Sequence, residues 1–128
     1  MKNLIAPLKG KSILIVDDEI EIREAIIFDF KRAGCNIFQA GSGEEALKIL
    51  ENIEVDIVIS DVRMPNGDGI DLIKKIRFKD PDKPIVLLAT GFSDLSEPEA
   101  IKLGAQALLN KPLDRRMLFG VLAQLISA

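Results

Sequence analysis

Ile13-Leu14-Ile15-Val16-Asp17-Asp18-Glu19 is the stretch that decides how this chain is read. Four apolar, mostly β-branched residues run without a polar break and stop on three acids. A continuous apolar run is a strand buried on both faces, as in a parallel sheet with helices on either side. Val55 to Ser60 and Ile85 to Ala89 repeat the pattern. Asn36 to Ala40 and Gln106 to Leu109 are shorter and weaker, suited to the flanks of the sheet.

Helical periods fill the gaps. Ile22, Ala25, Ile26, Phe30 and Ala33 fall on one face, with Gly34 as the stop. Ser42 with Glu45 reads as a capping box ahead of Ala46, Ile49, Leu50 and Ile53, and Ser96 with Glu99 as a second, ahead of a short helix ending near Gly104. Asp68 caps a helix carrying Ile70, Ile73 and Ile76; Asp114 caps a last one striped with Leu118, Val121, Leu122 and Leu125. The Asn66-Gly67-Asp68-Gly69 stretch is turn chemistry leading into that cap. Five strands alternating with five helices make an α/β, (βα)5 three-layer sandwich around a five-stranded parallel sheet, with right-handed crossovers.

In such sheets the functional crevice lies outside the carboxyl ends of the strands. The polar residues that stop the apolar runs there are Asp17 and Asp18, Asp61, Thr90 and Lys111. Clustered carboxylates repel one another and take up protons unless a cation compensates. Mg²⁺ suits them, since it takes oxygen ligands in octahedral array and keeps several waters. A carboxylate such as Asp61 can attack a phosphoryl group, while a metal, an ammonium and a hydroxyl manage the charge on its oxygens.

Composition narrows the field. The 128 residues are enough for one domain, and 48% hydrophobic with 29% charged residues is a folding composition. The expected division is a short tail over residues 1–10 and one domain over 11–128, with no output domain. A net charge of −3, with Lys and Arg scattered, argues against direct nucleic-acid binding. No apolar stretch reaches the roughly 20 residues of a membrane span, and Met1 to Gly10, interrupted by Pro7, holds no apolar run long enough to read as a signal peptide. A single cysteine, Cys35, excludes an internal disulfide and fits a reducing, cytoplasmic setting. With no histidine, histidine triads and histidine–zinc chemistry are excluded.

The segments ending in Asp17-Asp18-Glu19, Ser60-Asp61-Val62-Arg63-Met64-Pro65, Leu88-Ala89-Thr90-Gly91 and Asn110-Lys111-Pro112 resemble the receiver domain of bacterial two-component response regulators, over about Lys11 to Ile126. Each motif is weak alone; all four in order are specific. The resemblance implies a flavodoxin-like fold that takes a phosphoryl group from a sensor histidine kinase or phosphotransfer protein onto Asp61. It further implies Mg²⁺ held by Asp18 and Asp61, with Asp17 acting mainly through a water and the backbone carbonyl of Arg63 completing the protein ligands. Thr90 and Lys111 would contact the phosphoryl group, and Lys111–Pro112 would be a cis peptide.

Departures from the pattern matter too. Leu108 stands where receivers commonly carry Tyr or Phe, and the chain has no Tyr, so a tyrosine-based switch is impossible. Arg63 and Phe92 occupy positions that tune phosphoryl lifetime in such domains, and Phe92 is expected to hinder water. The resemblance puts the signalling face on the fourth helix, fifth strand and fifth helix. There Glu97, Glu99, Lys102, Arg115 and Arg116 read equally well as solvated surface. Ile27 and Phe28 widen the apolar face of the first helix toward a contact surface. A downstream protein partner or an output domain is implied, and homodimerisation stays open. The rivals are an FMN or nucleotide module, a Mg²⁺-dependent phosphatase and a phosphate-independent docking domain. The first lacks a phosphate cradle, the second a further acid beside Asp61, and the third would ordinarily have lost Asp61 or Lys111.

Overall fold

A computed structural model describes residues 8–65, 68–91 and 95–127. Its strands are β1 (Ser12–Val16), β2 (Asn36–Ala40), β3 (Ile57–Asp61), β4 (Ile85–Thr90) and β5 (Ala107–Asn110). They alternate with α1 (Ile20–Arg32), α2 (Gly43–Asn52), α3 (Gly69–Lys79), α4 (Glu97–Leu103) and α5 (Arg115–Ser127). All four strand pairings are parallel, in the order β2-β1-β3-β4-β5.

The two faces of the sheet follow from the period-two alternation of strand side chains. Leu14, Val16, Val58, Val86 and Leu88 point to one side and pack with Ala46 of α2, Leu72, Ile73 and Ile76 of α3, and Ala100 of α4. Ile13, Ile15, Ile57, Ile59, Leu87 and Leu109 point to the other, against α1 and α5. On that side Phe30 and Phe119 meet edge to face, with ring centroids 5.1 Å apart. Both faces being covered, the runs Ile13–Val16, Ile57–Ile59 and Ile85–Ala89 of the central strands are apolar on both sides.

Local chemistry sets the helix starts. Ser96 Oγ accepts from the Glu99 N–H and Glu99 Oε1 from the Ser96 N–H, a complete capping box. Asp68 Oδ1 accepts from the Asp71 N–H, and Asp114 Oδ1 from the N–H groups of Arg116 and Met117. The box at Ser42 is only half formed. Ser42 caps the Glu45 N–H, but the Glu45 carboxylate reaches one residue further back, to Gly41.

Packing shifts some boundaries. β3 begins at Ile57 rather than Val55. In α1, Ile27 is buried with Ile26 and Phe30, whereas Ala25 is exposed. Ile27 is therefore core; Phe28 is 60% exposed and carries Arg32 over its ring at 5.8 Å. Before β1, Leu8 is fully buried in the α1–α5 core and Gly10 donates to the Gly34 carbonyl, so the chain packs onto the domain ahead of Lys11.

Candidate functional site

β1 and β3 are neighbours although their connections leave in opposite directions along the sheet, through α1 to β2 and through α3 to β4. This reversal opens a crevice at the carboxyl ends of the strands. Asp17 leaves β1 there, Asp61 ends β3, Thr90 ends β4, and Lys111 follows β5. All of them bury: Asp17 is 4%, Asp61 9% and Thr90 2% exposed, and Lys111 is partly buried.

Lys111 joins the carboxylates. Its Nζ donates to Asp17 Oδ2 and to Asp61 Oδ2, each at 2.9 Å. The main chain holds Lys111 in turn, its N–H donating to the Thr90 carbonyl. The Lys111–Pro112 peptide is cis, as the resemblance implied, and so is Lys83–Pro84, which no sequence signal marked. Carboxylate oxygens of Asp17, Asp18 and Glu19 lie within 4.8 Å of one another. Glu19 is the member that sequence reasoning left without a role at the site. Asp17 is further pinned by a turn within its loop, Oδ1 accepting from the Glu19 N–H.

Burial sets the electrostatics. It raises the pKa of Asp61, against the lowering effect of the Lys111 hydrogen bond and charge; Asp17 pushes the same way as burial, and the Arg63 backbone N–H that Asp61 accepts opposes it. Burial alone would lower the Lys111 pKa, but the hydrogen bonds to Asp61 and Asp17, together with the charges of these carboxylates, more than offset it and leave the pKa raised.

The donors present are carboxylate and carbonyl oxygens, hard ligands that suit a small divalent cation such as Mg²⁺ and not a soft metal. Asp17, Asp61, Thr90 and Lys111 are thus brought to one crevice edge, with Asp18 exposed in the loop beside Asp17 and Arg63 exposed after Asp61. Phe92, and the Asn66-Gly67 part of the turn, lie outside the described residues. Leu108 is half-buried opposite Leu88 of β4 and packs into the α2–α3–α4 core. A groove of about 680 Å³ between α2 and α3, lined by Leu47, Leu50, Ile76 and Lys79, opens at the other end of the sheet and does not include the site.

The signature of the response regulator receiver domain matches residues 13–123. This chain belongs to that family. The receiver is 34% identical over 107 residues to the alkaline phosphatase synthesis transcriptional regulatory protein PhoP of Bacillus subtilis (strain 168), an alignment covering 84% of this chain and 45% of PhoP. The chain therefore spans less than half the length of that relative. Among solved structures it resembles a CheY-like receiver domain protein from Methanospirillum hungatei JF-1, with 25% identity, TM-score 0.86, and 93% and 95% of the two chains covered. It also resembles the chemotaxis response regulator CheY4 of Vibrio cholerae, with 30% identity, TM-score 0.79, and 92% and 99% covered. The protein is a two-component receiver domain with the flavodoxin-like fold, and its family is one of signalling phosphoacceptors. Among the described residues, no helix is long and apolar enough to cross a membrane.

Proposed function

We propose that this receiver accepts a phosphoryl group on Asp61 from the phosphohistidine of a sensor histidine kinase or phosphotransfer protein, and passes the signal to a protein partner or output domain. The observation that carries this reading is the Lys111 ammonium, 2.9 Å from both Asp61 and Asp17 beside the Asp17-Asp18-Glu19 acids. An Asp61 carboxylate oxygen attacks phosphorus as the P–N bond breaks, and the imidazole leaves with the bonding pair. Lys111 meets the charge of the transferred group, and the Thr90 hydroxyl donates to one of its oxygens.

Asp17, Asp18, Asp61 and the Arg63 carbonyl would hold Mg²⁺. When bound, it neutralises the acids and the phosphoryl oxygens. The chain turns over no external substrate in this reading; it promotes only its own phosphorylation and dephosphorylation. A cytoplasmic setting fits the unpaired Cys35 and a kinase donor.

Intact mass after incubation with acetyl phosphate tests the proposal. The expected result is a gain of one phosphoryl that requires Mg²⁺, is labile to hydroxylamine and is absent in Asp61→Asn. No adduct in samples quenched within seconds would overturn it in favour of a phosphate-independent docking domain.

A further inference from the structure

Arg23 lies in the first turns of α1 and sends its side chain back over the start of its own helix. A cation there faces the positive end of the helix dipole, so helix electrostatics do not account for it. Its hydrogen bonds do. Nη1 donates to the backbone carbonyl of Asp17 at 2.5 Å, and Nε donates to Gln39 Oε1 of β2 at 3.1 Å.

Asp17 is thereby held at every polar atom. Its N–H donates to the Ala40 carbonyl at 3.1 Å, and its carbonyl accepts from Arg23. Its Oδ1 accepts from the Glu19 N–H and its Oδ2 from Lys111, both at 2.9 Å. Of these partners only Arg23 and Lys111 are side chains, and Lys111 would be drawn to any incoming phosphoryl group. Arg23 is then the one side chain among these partners of Asp17 that does not also bond Asp61.

We propose that Arg23 is a positioning residue for the cation site, bracing the β1–α1 loop through the Asp17 carbonyl with Gln39 as the far anchor. The inference rests on the Mg²⁺ reading above and deepens it. Charge and bracing pull Mg²⁺ affinity in opposite directions. Arg23 as a nearby cation repels Mg²⁺, so removing its charge should tighten binding. Arg23 as a brace organises the ligands, so removing it should weaken binding, by about 10-fold on the scale of outer-shell partners of metal ligands.

With no Trp or Tyr in the chain, Mg²⁺ binding is read by amide NMR titration and calorimetry on the full chain. R23Q is expected to raise the Mg²⁺ dissociation constant about 10-fold. R23K, which keeps one donor for the Asp17 carbonyl, is expected to recover most of that loss. Metal-free amide spectra that overlay the parent's away from the β1–α1 loop accompany this result. Binding by R23Q that equals or exceeds the parent's, or no recovery in R23K, overturns the proposal. If R23Q does not fold, Q39A carries the test: it keeps the charge and frees the far anchor. Weaker binding by Q39A then supports the brace, and unchanged or tighter binding overturns it. A parent that binds no Mg²⁺ overturns the site reading and this inference together, whereas a parent that binds normally isolates a failure to Arg23.

Discussion

Gly69 lies flush against the main chain of Asp61: a Cβ on Gly69 would overlap the Asp61 carbonyl oxygen and stand 3.2 Å from Ser60 Oγ. The Gly69 N–H donates to the Val62 carbonyl at 2.9 Å, so the first residue of α3 is tied to the end of β3. Gly69→Ala is therefore expected to destabilise the domain by about 1–3 kcal/mol, the usual range for forcing a methyl into a packed site. It should also slow labelling of Asp61 by acetyl phosphate, because the displaced atoms belong to that residue. A urea midpoint unchanged from the parent's would show that the contact is not tight.

Arg77 ties its helix to two connections, the one between α3 and β4 and the one between α4 and β5. Its Nε donates to the Gly104 carbonyl at 2.8 Å, and its Nη2 to the Pro84 carbonyl at 2.7 Å and to Gln106 Oε1 at 3.2 Å. Arg77→Ala leaves the Gly104 and Pro84 carbonyls without this donor, while Gln106 Oε1 keeps the Val86 N–H at 2.7 Å, and is expected to cost about 1–3 kcal/mol. Gly104 has φ of 110°, and a Cβ there would stand 2.5 Å from Arg77 Cγ. Gly104→Ala should thus also destabilise, and the double variant should lose less than the sum, because Arg77→Ala removes the clash. Additive losses in denaturant titrations would contradict the shared contact.

Phe30, packed edge to face on Phe119, is the largest fully buried side chain among the described residues, so its removal opens a large cavity on the α1–α5 side of the core. Phe30 is fully buried. Phe30→Ala is expected to cost about 3–5 kcal/mol, read as a lowered urea midpoint. A loss below 1 kcal/mol would mean that the helices close over the gap.

Lys111 gives stability a defined pH dependence. Its folded pKa stands above the ordinary 10.5. A raised lysine contributes stability that is complete below its unfolded value and is lost as pH rises through the folded one. The stability difference between the parent and Lys111→Met should therefore be largest from neutral to mildly alkaline pH and shrink through the alkaline limb. It should shrink on acidification as well. Burial holds the Asp61 pKa above the ordinary 3.8, so this carboxylate takes up its proton early and the ammonium loses a partner. Urea unfolding across the pH range measures this; a difference that stays flat through both limbs would contradict it.

Much of the fold was legible because β-branched runs and polar stops are local signals. Asp17, Asp61 and Thr90 each end or follow an apolar run, and the helix caps at Ser96, Asp68 and Asp114 are marked by residue type within a few positions. Legibility failed where a local rule met a tertiary competitor. Ala25 fits the helical stripe by period, but Ile27 takes the buried place because α1 presents it to the sheet. Glu45 fits a capping box, yet its carboxylate goes to Gly41. Nothing local in Arg23 points to Asp17, since an exposed helix arginine and a bracing one look alike in sequence.

The sequence by itself determined the alternation of strands and helices, the identity of the strand-ending side chains and so the chemistry available. These depend on residue type and on periods of two and 3.6 residues, which short stretches contain. Only the tertiary structure decided that β3 pairs with β1 and that Lys111 reaches Asp61 and Asp17, 50 and 94 positions away along the chain. The physical reason is that strand order and side-chain reach come from packing both faces of the sheet at once, to which every helix contributes and which no local segment encodes.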